Sequence, residues 1–211
     1  MRQIHLNIGI EYVNSKYILR VDPDDTIEPN RIKLQYEFLE KHTSIGCLGT
    51  NAKYFRGARV LNVSNFPLTH KEIRKRYLRG EHGVLHGTVM IRTSIFKKFK
   101  YRQEFVPAED YDIFSRIIDS GILFSNIVEP LTNVRIHGNS VSNDLKFDTI
   151  IKTYLLRQYI FGISISAIKI RLYYLHMMFY RRFLFEGSSY RYIYLLLSVV
   201  FNPIKLLRRI K

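Results

Sequence analysis

The chain has 211 residues, 46% hydrophobic and 14% aromatic, which excludes a disordered polymer and is long enough for one sizeable core with an appendage. Its 33 Lys or Arg against 18 Asp or Glu leave a formal charge of +15, which favours acidic or anionic partners. A single cysteine, Cys47, excludes a disulfide framework or a cysteine-rich zinc site and reads as a small buried residue in a reducing compartment.

Met1 to Ser15 places Ile4, Ile8, Ile10 and Val13 at roughly helical spacing, and Met1 to Ile10 lacks the apolar run of a signal peptide. The helix is expected to feed a buried strand at Tyr17–Leu19. Three carboxylates follow within four positions: Asp22, Asp24 and Asp25. On an extended backbone Asp22 and Asp24 share one face and Asp25 takes the other. Carboxylates crowded at a strand end need a cation or hydrogen-bond donors between them, and Mg²⁺ or Mn²⁺ suits such a place. The plainer reading is a polar turn ahead of a helix that starts near Pro29. Arg31 to Glu40 is that helix, with Ile32, Leu34, Phe38 and Leu39 as expected core positions. Ile45 to Phe55 reads as a strand that turns at Arg56-Gly57 into Val60–Val63. Thr69 to Leu78 is a basic helix, with Thr69 as N-cap and Glu72 three residues on.

Gly83 to Gly87 reads as a loop of close backbone approach, followed by a strand at Thr88–Arg92 and a short helix at Ser94–Phe99. Glu109, Asp110 and Asp112 open the next helix, Tyr111 to Ser120, which Gly121 ends. Acids in a first turn suit the helix dipole, and they equally suit a general base held at a helix start. Ile122–Val128 and Leu131–Ile136 read as two strands, the second running into Arg135 and His137. A lone histidine at a strand end is either an ordinary surface residue or a ligand.

Four of these stretches carry a resemblance. LNIGIEYVNSKYILRVDPDDTIEPNRI, HGTVMIRTSIF, PAEDYDIFSRI and VRIHGNSVS resemble, in order, the successive blocks of a family 2 glycosyltransferase of the GT-A fold. The resemblance runs from about Leu6 to Ser142. It implies an α/β fold, an incomplete GT-A mixed sheet flanked by helices, over residues 1–147. It also implies inverting transfer of a sugar from a nucleotide-diphosphate donor to the hydroxyl of a glycan or lipid-linked acceptor, in bacterial surface polysaccharide or glycan assembly.

Carried over residue by residue, Asp24 would bind a divalent metal, Mn²⁺ or Mg²⁺, with Asp22 and His137 supporting it. Asp22, Asp25, Asn7 and Arg135 would contact the donor. Asp110 would be the base, and Glu109, Asp112, His86 and Gly87 would lie on the acceptor side. The family begins with a βαβ unit that grips the nucleotide, and this chain starts at the block that follows it, so the resemblance implies an incomplete donor pocket. Ser15 and Phe99-Lys100 stand where the family favours glycine.

Residues 148–211 form a basic, aromatic-rich helical tail. Ile151 to Lys211 holds eleven Lys or Arg and one acid, Glu186. Helical patterns are expected at Ile150–Ile170, Leu172–Phe185 and Tyr190–Ile210. The longest uncharged stretch, Tyr192 to Ile204, is thirteen residues, where a membrane span needs about twenty. The tail therefore reads as an interfacial helix set on an anionic membrane, on the inner face of the cell membrane, or as helices packed on the domain. No zinc finger or other nucleic-acid signature accompanies the charge, so nucleic acid is not the expected partner. A different class of function remains open: a non-catalytic basic module with a transferase-derived fold.

Overall fold

The computed structural model describes residues 2–136, 146–186 and 188–202. His137, expected as a metal ligand, lies outside them. The elements in order are α1 (Arg2–Tyr12), β1 (Tyr17–Leu19), β2 (Thr26–Ile27), α2 (Arg31–Lys41), β3 (Ile45–Arg56), β4 (Arg59–Val63), α3 (His70–Tyr77), β5 (Met90–Arg92), α4 (Thr93–Phe99), α5 (Glu109–Asp119), β6 (Leu123–Arg135), α6 (Phe147–Phe161), α7 (Ala167–Phe185) and α8 (Arg191–Phe201). The strands form one mixed sheet in the order β1-β5-β3-β6-β2, with β4 also paired to β3. Only the β3–β6 pair is parallel; the others are antiparallel.

Alternation along the strands sorts side chains onto the two faces. Ile18, Cys47 and Ile91 join a large core with α3, α4 and α5, built on Ile73, Tyr77, Phe96, Phe114 and Ile117. Their neighbours Leu19, Leu48 and Met90 face the other way and meet Leu39 and Phe38 of α2. Cys47 is fully buried, as its apolar surroundings in the sequence suggested. The Thr69 cap is in place: its hydroxyl accepts from the N–H of Glu72 and donates to the Glu72 carboxylate.

Several expectations are corrected. Ile32 points outward, at 55% exposure, and Ile8 is also exposed. Leu39 is buried as expected, and the rest of the buried face of α2 is Arg31 and Gln35. The two strands expected on either side of Glu129-Pro130 are one strand, β6. Its register against β3 slips around Asn51, and that irregularity absorbs the proline. The tail helix breaks at Gly162, whose φ of 66° is left-handed, so α7 starts at Ala167. Helix α6 begins at the expected domain boundary yet buries Ile150, Tyr154 and Leu156, and Leu156 belongs to the large core.

Lys100 also adopts a left-handed φ, of 46°, at the position where the family resemblance implies glycine. Its amine pairs with Glu11 of α1 at 2.5 Å.

Candidate active site

The acid run leaves β1 as a turn, not as extended chain. The N–H of Asp25 donates to the carbonyl of Asp22 at 3.1 Å. This corrects the expected facing. Asp22 and Asp25 converge on Gly87, where an added Cβ would lie 3.1 Å and 3.7 Å from their Oδ2 atoms, and Asp24 is exposed. A glycine is required there because any side chain would press on both carboxylates.

The turn is braced from two directions. Arg20 donates through Nη1 and Nη2 to Oδ1 of Asp22 at 3.1 and 3.0 Å. The N–H of Arg135, at the end of β6, donates to Oδ1 of Asp25 at 3.0 Å, and its Nε donates to the carbonyl of Asp24. The short strand β2, unforeseen in the sequence, fixes this geometry by pairing Thr26 with Asn133 and Ile27 with Thr132.

Burial pushes the Asp25 carboxyl up to about 6. The Arg135 N–H opposes that shift, and the charges of Asp22 and Asp24 add to it.

A buried polar pair on α2 ties the turn to the loop. Arg31 donates to Oε1 of Gln35 and to the carbonyl of Arg20, each at 2.9 Å. Gln35 in turn donates to the carbonyls of Leu48 and Thr88. Burial lowers the Arg31 guanidinium to about 10, against the pull of Asp25. Arg31 Nη1 and Arg20 Nε are buried with no hydrogen-bond partner among the described residues. The i, i+4 spacing of Arg31 and Gln35 was the signal available in the sequence; apolar periodicity pointed to Ile32 instead.

His86 and Gly87 lie in a 3-10 turn over His86–Thr88. His86 Nε2 and the Tyr101 hydroxyl share a hydrogen bond of 2.6 Å. Asp110 sits at the start of α5 with its side chain 31% exposed, and its Oδ2 lies 3.7 Å from His82 Nδ1. Its Oδ1 accepts from the N–H of Tyr111 at 2.8 Å. Burial alone would raise this carboxyl, but His82, His86 and backbone N–H groups outweigh it and hold Asp110 below the usual carboxylate range. Gly87 thus lies against Asp22 and Asp25, and the neighbouring His86 contributes to the charge that lowers the Asp110 carboxyl.

Two expected residues are committed elsewhere. Asn7 exchanges hydrogen bonds of 2.8 Å with both the N–H and the carbonyl of Tyr101, and so pins α1 to the chain after α4. Asp112 is fully buried, with its oxygens held by Arg102 and Arg116, so it faces the core and not an acceptor. Glu109 is half-buried beside Asp110.

A cavity of about 390 Å³ lies between α1 and β1, lined by Leu6, Ile10, Ile18, Phe96 and Tyr101, with Arg20 and Asp22 at its polar end. Among the described residues no three of His, Cys, Asp and Glu converge as a ready metal set.

Residues 3–100 match the sequence profile described as "Glycosyl transferase family 2". An uncharacterized glycosyltransferase of Methanocaldococcus jannaschii is 29% identical over 132 residues, 62% of this chain and 45% of that protein. The amylovoran biosynthesis glycosyltransferase AmsE of Erwinia amylovora is 25% identical over 137 residues, 65% of this chain and 51% of its own length. The crystal structure of S. aureus TarS 1-349 in complex with UDP-GlcNAc superposes with a TM-score of 0.56 at 18% identity, covering 92% of this chain and 58% of that one. The chain therefore spans about half the length of the curated relatives it matches. The profile match over residues 3–100, the relatives and the shared GT-A architecture agree in likening the chain to the family 2 glycosyltransferases.

Proposed function

We propose that the site at His86-Gly87 transfers a sugar, with inversion, from a nucleotide-diphosphate donor to the hydroxyl of a glycan or lipid-linked acceptor in polysaccharide assembly. The observation that carries this reading is the packing of Asp22 and Asp25 against Gly87, next to His86, whose charge acts on Asp110. A relative that acts in amylovoran biosynthesis and a fold shared with a structure holding UDP-GlcNAc support the substrate class.

The acid turn fits a hard divalent cation. Its donors are carboxylate oxygens, the class that hard divalent cations take. Asp24 and Asp22 would hold Mn²⁺ or Mg²⁺, which would neutralise the negative charge of a diphosphate. Arg20 and Arg135 hold the turn in place. In the reaction, the acceptor oxygen attacks the anomeric carbon and the bond from that carbon to the diphosphate oxygen breaks. The nucleoside diphosphate leaves with the electron pair. Asp110, ionised at neutral pH, takes the hydroxyl proton.

Calorimetric titration with UDP, with and without Mn²⁺, tests the metal part. The wild-type chain is expected to bind UDP more tightly with Mn²⁺, and Asp24→Ala to lose at least tenfold of that metal-dependent affinity. Equal binding by both proteins, whether or not Mn²⁺ is present, would remove Asp24 from the metal.

A further inference from the structure

Helix α8 has apolar residues on all its sides. One side packs on α7: Phe179 stacks with Phe201 at 5.8 Å, Phe183 meets Tyr192, and His176 Nδ1 hydrogen-bonds the carbonyl of Ser198 at 2.9 Å. Helix α7 is itself mounted on the domain through Tyr54–Phe185, Tyr154–Tyr173 and Phe147–Tyr174 ring contacts. The outward side of α8 carries Ile193, Leu196, Leu197 and Val200, with Leu196 at 69% and Val200 at 72% exposure. A helix at the surface of a soluble domain normally turns polar residues outward, so this face is built to be covered.

We propose that the outward face of α8 docks the protein on the surface of an anionic lipid bilayer. Three observations favour that occupant. No described helix is long and apolar enough to cross a membrane, so the face suits shallow insertion in the interface plane. The charge is complementary: Arg182 and Arg191 lie against the rings of Tyr194 and Phe183, and the sequence after α8 adds Lys205, Arg208, Arg209 and Lys211 with no acid. Tyr190 and Tyr192, both exposed, are of the amphipathic type that settles at head-group depth. The inference does not depend on the transfer reaction.

Co-sedimentation of the full chain with vesicles tests it. Vesicles of phosphatidylglycerol and phosphatidylcholine should bind the protein, phosphatidylcholine alone should bind it far less, and high salt should release part of it. The double variant Leu196→Ser/Val200→Ser changes only outward positions. It should keep the wild-type circular dichroism and melting temperature while losing at least tenfold of the vesicle affinity. A folded double variant that binds as well as wild type would overturn the proposal. So would a wild-type chain that ignores anionic vesicles and forms a dimer that the variant does not.

Discussion

At the scale of single residues, the site depends on how a short run of acids is folded. Asp25 holds its proton up to about pH 6 when folded, against about 3.9 when unfolded. The folded state therefore binds that proton more tightly, and stability falls as the pH rises from about 4 to about 6. Asp25→Asn removes this loss and keeps an oxygen for the Arg135 N–H. Denaturant titrations in chelating buffer should find the variant more stable by about 1–2 kcal/mol at pH 8, allowing for solvent screening, with the advantage gone near pH 3.5. A gain of equal size at both pH values would mean that Asp25 titrates as an ordinary carboxyl.

The acids themselves were legible, because three carboxylates in four positions repel one another and must be held by donors or by a cation. Their facing was not, because alternation holds only for extended chain and Asp22–Asp25 is a turn. Arg31 and Gln35 were missed for a related reason: apolar periodicity cannot reveal a helix face that buries polar groups by pairing them.

At the scale of elements, α5 shows how neighbouring acids divide their work. Asp110 and Asp112 are two positions apart, so the helix turns them to different sides. One reaches the site; the other is buried between Arg102 and Arg116, and Arg116 also donates to the carbonyls of Phe99 and Lys100. Asp112 thereby fixes the chain between α4 and α5. Asp112→Ala leaves two guanidiniums without their carboxylate and should cost about 3 kcal/mol of stability, read as a lower urea midpoint at unchanged slope. A loss below about 1 kcal/mol would show that water replaces the carboxylate at the partly exposed arginines. The helix and its acidic start were readable from pattern. The side each acid takes depended on the arginines packed around it, which lie only a loop and a helix turn away in sequence and carry no signature of their own. The single long β6 was hidden by Glu129-Pro130, since a proline ordinarily breaks a strand and only the bulge opposite Asn51 accommodates it.

At the scale of the molecule, the turn after β1 packs against Gly87, and Asp110, at the start of α5, feels the charge of the adjacent His86. Order and spacing of the motifs made this architecture readable, whereas the packing of α6 into the core and the outward face of α8 depended on contacts that no local pattern records. The central claim is that Asp110 serves as base at the site the acid turn completes. The most direct measurement is sugar transfer by Asp110→Asn, set beside its affinity for the nucleotide-sugar donor. Transfer should fall by about 10²–10⁴-fold with donor affinity close to wild type. Loss of donor affinity without a separate loss of turnover would contradict the claim, and would make Asp110 a donor ligand.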